Sequence, residues 1–549
     1  MPGDPTPRPS LWAPLTHPVF RALWIAGLAS DFGAWMHEVG EGWLMTSLSP
    51  SPLSVALLQA ADSLAIFAIA IPAGALADVV DRRRLAILAQ AWLFVASATI
   101  GGLALAHRMT PATLIGLTFV MGVGAAFDTP LWQTIVAELV PRKDLSRAVT
   151  LGGLSVNLAR AFAPAIGGLL IAAAGPPAVF LVNAATFPVV IVVLLRWKRV
   201  RPASLAPTER WLGAMQSGLR YTRNSPELVA AFVRTGATLF GGICLLALLP
   251  SFARGTLGLG SLGFGGLLGC MGAGAVVAAT VLPQLEGKLS ADAALSLGTV
   301  VFGAALAALA LAPHVALAAP AMVAGGFAWM ALISSLNVSV QVATPSWARA
   351  RVSSVYMVVF QGALVAGAVT WGAVASRTSV RIALACGAAA TVASVAARLR
   401  FPLARDAPDF SPVAWPKPLL VCEPEVDAGP VLVTMTYRVP PARFTAFADA
   451  MRDLEHIRRR EGAFDWRLYR DTAVADTYVE VYSIDSWAEH LRQHERVTVD
   501  ERDAEKAAQA LAEGFDESAV RHLVAVGDDE GEEEAADVDG DTAKDEETK

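Results

Sequence analysis

The sequence predicts an all-α polytopic membrane protein of twelve transmembrane helices in two six-helix halves, followed by a small α+β domain. Of its 549 residues, 54% are apolar and only 17% are charged, whereas soluble proteins carry about 25% charged residues. About twelve apolar stretches have the roughly 20 residues that a helix needs to cross the hydrocarbon layer. The composition therefore excludes a soluble enzyme, a nucleic-acid-binding protein and a secreted disulfide-rich scaffold.

The predicted spans divide the chain into domains. We expect an N-terminal tail at 1–17, six-helix halves at 18–200 and 227–400, and a linker at 201–226 between them. The first and tenth spans are those in which we allow a break or a tilt. The approximate limits of the spans are 19–47, 54–78, 84–106, 112–138, 147–173, 177–197, 227–250, 260–282, 291–311, 316–342, 350–375 and 379–399.

The basic residues of the short connections predict how the chain is oriented in the membrane. Cytoplasmic loops carry an excess of Lys and Arg, and here one side holds most of them, whereas the opposite side holds only Arg108, Arg254, Arg377 and Arg381. We therefore expect the N-terminal tail, the linker at 201–226 and the C-terminus to be cytoplasmic. The basic side includes Arg82, Arg83, Arg84, Arg142, Lys143, Arg147, Arg196, Lys198, Arg199, Arg201, Lys288, Arg349, Arg351, Arg398 and Arg400.

The two halves show a thin internal repeat at an offset of 204 residues. Pro141 and Arg147 match Pro345 and Arg351, and Gly168 matches Gly372. Parallel repeats of this kind are one way in which transport proteins place a binding site between their halves, near the middle of the membrane.

The composition changes after the last predicted span. Residues 401–430 form a proline-rich linker, and 431–515 have the β-α-β-β-α pattern of a small ferredoxin-like α+β domain. Strands are predicted at 431–438, 464–470 and 477–484, with helices at 441–460 and from about Ser486 and Asp500. The last segment, 527–549, has twelve acidic residues against two lysines and is predicted to be a disordered acidic tail.

The connection between spans two and three carries a recognisable motif. It reads Gly74-Ala-Leu-Ala-Asp78-Val-Val-Asp81-Arg82-Arg83-Arg, and it resembles the loop signature of the major facilitator superfamily. The resemblance implies a gating loop in which a glycine lets helices approach closely and an aspartate accepts charge-assisted hydrogen bonds. The alternative is that the arginines only set the topology.

Span five carries a second motif, Ala163-Pro164-Ala-Ile-Gly167-Gly168. It resembles the antiporter element of the same superfamily, with Ala163 in place of the first glycine. Together with the run from Phe127 to Pro141, it is similar to the enterobactin-exporter-like branch, which often ends in a monooxygenase-like α+β domain such as 431–512. This resemblance implies a secondary active exporter in the bacterial cell (inner) membrane that moves a siderophore or drug-like amphipathic molecule by proton antiport.

Ionisable residues inside apolar spans are energetically unfavourable and usually mark functional positions. Asp31 and Arg160 lie at similar predicted depths, so we expect an ion pair that either stabilises the structure or takes part in proton coupling. Glu38 and Glu41 share a helix face and form either a protonatable pair or a polar lining at the outer opening. His37 is interpreted as a packing residue. The candidates for proton coupling are Asp31, Arg160, Glu38, Glu41, Asp62 and Asp128.

Two other classes of protein stay open. One is a membrane-anchored, monooxygenase-like enzyme, and the other is a membrane sensor that transports nothing. No catalytic residue, cofactor or metal site is predicted, because His490 and His494, although one helical turn apart, fall on a helix that the sequence pattern predicts to be exposed. The expected partners are a small-molecule substrate, protons, the lipid bilayer and a second copy bound through the C-terminal domain, but not nucleic acid.

Overall fold

The computed structural model describes residues 10–197, 218–285, 288, 290–403, 409–411, 413, 424–425, 428–515 and 520–525. Most of the linker at 201–226, most of the proline-rich linker at 401–430 and the acidic tail at 527–549 lie outside these residues. The helices of the apolar part are α1 (Pro18–Leu48), α2 (Pro52–Val79), α3 (Arg82–Leu105), α4 (Pro111–Leu139), α5 (Arg142–Ala174), α6 (Pro176–Arg196), α7 (Pro226–Gly242), α8 (Cys244–Ser251), α9 (Ser261–Leu285), α10 (Ala291–Leu311), α11 (Val315–Val342), α12 (Arg349–Arg377) and α13 (Val380–Ala393).

The predicted membrane architecture is confirmed. Within the described residues, eleven helical segments are long and apolar enough to cross a membrane. They correspond to predicted spans two to twelve. The first predicted span forms α1, a 31-residue helix that carries the charged residues Arg21, Asp31, Glu38 and Glu41.

Short connections with sequence-encoded caps separate these helices. Thr110 caps α4 by accepting a hydrogen bond from the amide of Thr113, whose side chain accepts one from the amide of Thr110 in return. Asp81 caps α3 in the same way, by accepting a hydrogen bond from the amide of Arg84. Gly175 ends α5 with a φ of 80°, a backbone conformation that residues other than glycine rarely adopt.

The break in the helical pattern lies in the seventh span, not in the first or tenth. Helices α1 and α11 are continuous, whereas the stretch predicted at 227–250 divides into α7 and α8 and continues as a π-helical turn at Phe252–Thr256. Two consecutive glycines, Gly241 and Gly242, weaken the helix at the break. A Cβ atom on Gly241 would lie 2.8 Å from the backbone nitrogen of Thr391, so glycine also allows the close approach of α13.

The internal repeat appears as two equivalent crossings between the halves. A Cβ atom on Gly168 of α5 would lie 2.7 Å from the carbonyl oxygen of Ser261 at the start of α9. A Cβ atom on Gly372 of α12 would lie 2.6 Å from Cβ of Ala56 in α2. Helices α5 and α12, which are the fifth and eleventh predicted spans, thus use the matched glycines to contact α9 and α2 of the opposite half.

The C-terminal domain is a four-stranded antiparallel sheet with the order β2-β3-β1-β4. This is the ferredoxin-like arrangement expected from the sequence, and the first three strands have the predicted limits. The last strand was missed, because five residues with alternating burial are too short a signal; it extends the domain beyond 515. The elements are β1 (Val431–Arg438), α14 (Phe444–Arg460), β2 (Phe464–Arg470), β3 (Thr477–Ile484), α15 (Trp487–Arg496), α16 (Val499–Gln509) and β4 (Val520–Val524).

The chain divides into two compact units. The second contains this domain together with residues 218–229 and Gln341–Val352. Inside that unit, the Arg496 guanidinium lies 4.4 Å from the ring centre of Trp347, and the Arg460 guanidinium lies 5.2 Å from that of Tyr221. The segments before α7 and between α11 and α12 therefore belong structurally with the α+β domain, a grouping that the predicted boundaries did not include.

Candidate functional site: a carboxylate-lined cavity between two helical halves

A cavity of about 920 Å³ lies between the two halves of the helical unit. It is within the volume range of small-molecule sites, which are mostly apolar with a few polar groups. Trp24 and Trp132, two tryptophans of the N-terminal half, line the cavity. Among its apolar lining residues are Phe20, Leu23, Val149 and Phe187 from the N-terminal half and Leu246, Pro250, Phe264 and Leu268 from the C-terminal half.

The cavity is closed at the end that carries the connection between α1 and α2. There, the Arg254 guanidinium donates hydrogen bonds to Ser47 Oγ (2.6 Å) and Thr46 Oγ1 (3.1 Å), joining the two halves. The backbone amide of Leu53 donates to Ser376 Oγ at 3.0 Å. The glycine crossings at Gly168 and Gly372 lie at the same end, so this conformation is sealed there by direct contact between the halves.

The structure brings the predicted acidic residues together. Asp31, Glu38, Glu41, Asp62 and Asp128 all line the cavity, and no Lys or Arg is among the described lining residues. The helices α1, α2 and α4 supply them from one half of the protein. The cavity is therefore strongly acidic whenever these groups are ionised.

The predicted ion pair between Asp31 and Arg160 is not formed in this conformation. Asp31 Oδ2 accepts a hydrogen bond of 2.5 Å from Ser155 Oγ. Arg160 instead lies over the ring of Trp35, 5.4 Å from its centre, and its Nη1 is 4.0 Å from Met330 Sδ in α11 of the other half. Sequence reasoning placed both residues at a plausible depth, but depth alone does not fix the direction in which side chains point.

His37 is the residue whose importance the sequence reasoning missed. It is buried, and its Nε2 lies 3.2 Å from Glu41 Oε1, which also accepts a hydrogen bond of 2.7 Å from Thr118 Oγ1. The other ring nitrogen, Nδ1, lies 3.2 Å from Asn183 Nδ2 and 3.3 Å from Ser97 Oγ. His37 thus links four helices to the cavity, and only its position one turn from Glu41 signalled this role in the sequence.

The remaining acidic groups have separate surroundings. Asp128 Oδ1 accepts a hydrogen bond of 2.8 Å from Gln90 Nε2. A Cβ atom on Gly122 of α4 would lie 3.2 Å from Asp62 Oδ1, so glycine leaves room for that carboxylate between α2 and α4. Glu38 has an exposed side chain within the cavity lining.

The predicted gating loop fastens helices of the N-terminal half to one another. Arg82 Nη1 lies 3.1 Å from Glu138 Oε1 at the end of α4. Arg83 donates hydrogen bonds of 2.7 and 2.6 Å to the carbonyl oxygens of Leu194 and Leu195, which are among the unpaired carbonyls at the end of α6. The surroundings of Gly74 and the side chain of Asp78 lie outside the described part of the structure.

The antiporter-like motif forms the closest contact between α5 and the other half. Pro164 has no amide hydrogen, so it cannot bond to the carbonyl of Arg160 one turn earlier. A Cβ atom on Gly272 of α9 would lie 2.7 Å from that carbonyl oxygen. Gly167 faces the opposite way, where a Cβ atom would lie 3.2 Å from the Cα of Met36 in α1. These small residues therefore let α5 pack tightly between α1 and α9.

A second group of polar residues lies in the α+β domain. His490, His494 and His522 have potential ligand atoms within 4.8 Å of one another. The prediction of an exposed helix at His490 is wrong, because this residue is 1% exposed. Burial, followed by the neighbouring His494 and His522, lowers the pKa of His490 to about 3, so its ring is neutral at neutral pH.

The fold and the cavity define a membrane transport protein of two six-helix halves. The chain belongs to the transmembrane secretion effector family, whose family model matches residues 9–530. Membership in this family makes the chain a transporter and not an enzyme.

Several curated relatives share part of the sequence. The staphyloferrin A transporter of Staphylococcus aureus is 22% identical over 275 residues, which cover 50% of this chain and 69% of that protein. The multidrug efflux pump Tap of Mycolicibacterium fortuitum is 25% identical over 347 residues, covering 60% of this chain and 82% of the pump. The enterobactin exporter EntS of Escherichia coli is 25% identical over 328 residues, covering 58% and 76%.

Solved structures match the fold of the helical unit. The nucleoside transporter NupG aligns with a TM-score of 0.56 and 11% identity, covering 70% of this chain and 99% of that one. A bacterial homologue of the human lysosomal transporter Spinster, in an inward-facing conformation, aligns with a TM-score of 0.54 and 16% identity, covering 70% and 94%.

Proposed function

We propose that this chain exports a small amphipathic molecule by proton antiport with alternating access. The observation that carries the proposal is the cavity between the halves, which is closed at one end, rich in aromatic and aliphatic side chains and lined by five carboxylates. A site between two halves becomes accessible from either side when the halves rock against each other. Carboxylates in such a site can exchange protons with each side in turn.

The relatives suggest two substrate classes, siderophores and drugs. The cavity chemistry favours the second, because an acidic site without Lys or Arg among its described lining residues attracts cations and repels polyanions. Neutral or cationic amphipathic molecules with aromatic groups are therefore the expected substrates, and Trp24 and Trp132 offer faces on which they can stack.

Transport by the purified full-length chain in proteoliposomes tests this function. With an imposed pH gradient, we expect a cationic amphipathic dye to be moved against its concentration gradient, and empty liposomes to move none. An iron-free catecholate or citrate siderophore in the same assay serves as the anionic comparison. Uphill transport of the siderophore alone would reverse the substrate assignment, and flux of neither compound would contradict the export function.

We also propose that both termini are cytoplasmic and that the closed end of the cavity is the extracytoplasmic one. The support is the excess of Lys and Arg on one set of connections. Reporter fusions after residues 50, 108 and 175 should show an extracytoplasmic position, and fusions after 81 and 143 a cytoplasmic one. The opposite pattern at these sites would invert the topology.

The α+β domain is proposed to regulate or dimerise the transporter without catalysing a reaction. The contacts of Arg460 with Tyr221 and of Arg496 with Trp347 support a regulatory role, since they join the domain to segments that begin or connect helices. Strand β3 lies inside the sheet, so it has no free edge with which a second copy could pair. A shared sheet would have to use β2 or β4, and the mass of the detergent-solubilised protein measures whether a dimer forms.

A further inference from the structure

Three histidines from two elements of the α+β domain converge beside its sheet. His490 and His494 are one turn apart on α15, and their ring centres are 4.5 Å apart. His522 belongs to β4, where it pairs with Val433, and its ring centre lies 4.7 Å from that of His490. The sequence separates His522 from the other two by about thirty residues, so only the fold brings the group together.

The buried member of this group has unmet hydrogen-bonding capacity. His490 is 1% exposed, and neither of its ring nitrogens has a hydrogen-bond partner of normal geometry among the described residues. Among the groups that affect the pKa of His490, Gln493 has the smallest effect and raises it. A buried polar group without a partner is unfavourable. The other two imidazoles can accept a hydrogen bond from His490 only through a ring nitrogen that carries no proton. A ligand that accepts an electron pair from His490 would satisfy one of its ring nitrogens.

The chemistry of the three side chains points to a metal of the zinc class. Neutral imidazole nitrogen is a good ligand for Zn²⁺, Cu²⁺ and Ni²⁺, and three histidines with one open position are a known zinc arrangement. Zn–N bonds of about 2.0–2.1 Å place two ligand nitrogens roughly 3.3 Å apart. The ligand atoms, now within 4.8 Å of one another, have to approach by up to about 1.5 Å to reach that separation.

We propose that His490, His494 and His522 form a binding site for a divalent transition metal, with Zn²⁺ as its probe. Bound metal joins α15 to β4 and so fastens the edge strand of the sheet to the body of the domain. The site belongs to the second compact unit, whereas the cavity belongs to the first, and its existence does not depend on the transported substrate.

The test uses the full-length chain, purified in detergent without a histidine tag and stripped with a chelator. After Zn²⁺ loading and desalting, we expect one Zn²⁺ per chain by elemental analysis. His494→Ala and His522→Ala should each weaken binding by at least about 100-fold, more than the loss of an outer-shell partner does. His456→Ala is the matched control, because His456 is an exposed histidine of the same domain and should bind Zn²⁺ like the wild type.

Two further measurements separate a specific site from loose binding. Co²⁺ in place of Zn²⁺ should give the visible absorption of a low-coordinate, nitrogen-ligated ion, and Zn²⁺ should slow amide hydrogen exchange in β4 but not in β2 at the opposite edge. Each of three results would overturn the proposal. They are less than one Zn²⁺ per wild-type chain, an equal loss of Zn²⁺ affinity in His456→Ala and His522→Ala, and amide hydrogen exchange in β4 that Zn²⁺ does not change. Because His494 and His522 are only partly buried, these variants are expected to fold, as retained protection of β1 would verify.

Discussion

Replacement of Asp31 by Asn is expected to abolish uphill export while leaving exchange of substrate across the membrane in place. Asp31 lines the cavity and holds Ser155 of α5, and Asn keeps the shape and a hydrogen bond but cannot carry a proton. For a neutral substrate exchanged for one proton, a potential of 100 mV supplies about 2.3 kcal/mol, which sustains a substrate gradient of roughly 50-fold. Without proton coupling, that gradient should fall to one.

The expected mechanism depends on Arg160. A buried carboxylate without a cationic partner favours its protonated form, whereas a neighbouring guanidinium favours the ionised form. Arg160 now contacts Met330 of the opposite half, so separation of the halves at this level must release it. We propose that it then turns toward Asp31 and expels the proton, which ties proton release to the change in access.

Measurements of flux with and without a pH gradient distinguish loss of coupling from loss of binding. Asn157→Ala is the matched control, since Asn157 lies between Ser155 and Arg160 on α5 but is not among the lining residues of the cavity; it should keep full uphill transport. If Asp31→Asn also keeps it at normal abundance, the coupling role passes to Glu38, Glu41 or Asp62, with His37 as the neighbour that organises Glu41.

Replacement of Glu480 by Ala should strongly destabilise the α+β domain. Glu480 is fully buried and accepts hydrogen bonds from Trp466 Nε1 (2.8 Å) and Tyr437 Oη (2.9 Å), and Arg458 Nε lies 3.4 Å from it. Burial opposes the charge of Arg458, but Tyr482, Glu505 and Glu480 outweigh it and raise the pKa of Arg458 well above its ordinary value. The variant therefore leaves two buried donors, Trp466 and Tyr437, without their acceptor, at a cost of about 1–3 kcal/mol for each. It also removes one of the carboxylates near Arg458, which keeps its ion pair with Glu505 at 2.9 Å.

Hydrogen exchange of the full-length chain measures this loss as faster exchange in β1 and β3. Glu455→Ala is the control, because Glu455 pairs with Arg459 at the partly exposed surface of α14 and such pairs contribute about 0–1 kcal/mol. If the domain is regulatory, transport per molecule should survive in Glu480→Ala while abundance or regulation changes. Loss of transport per molecule in this variant would show instead that the domain is needed for the transport cycle.

Patterns that depend on one periodicity could be predicted, and groupings that depend on packing could not. The strands at 431–438, 464–470 and 477–484 follow from their alternation, and the helical spans follow from their length and apolarity. Gly168 and Gly372 could be matched as repeats because the halves use them at equivalent crossings. The sequence could also identify the cavity carboxylates, because charged groups stand out in apolar spans.

The failures have a common physical cause. A linear pattern gives the depth of a residue but not the rotation of its helix, which is why Arg160 was paired with Asp31 and not with Trp35. For the same reason, the sequence could not predict the hydrogen bonds of His37 to other helices or the contact of His522 with His490. Both depend on contacts between elements that are distant in the chain. The break after Gly242 was missed because two glycines interrupt a helix only where a neighbouring helix packs closely against them, and the sequence does not show that contact.

The glycine crossings also determine how well the protein holds back ions when it is not transporting. At Gly168 the neighbours are backbone atoms of α9, and at Gly372 they include the side chains of Ala56 and Leu53. Neither crossing has space for even one additional carbon atom, so the helices leave no room for a file of water between them there. Protons leak along such files, and a leak would dissipate the gradient on which the proposed antiport depends. A barrier built from such close helix contacts is therefore an insulator as well as a joint, and it allows the membrane to stay energised through the idle part of each cycle.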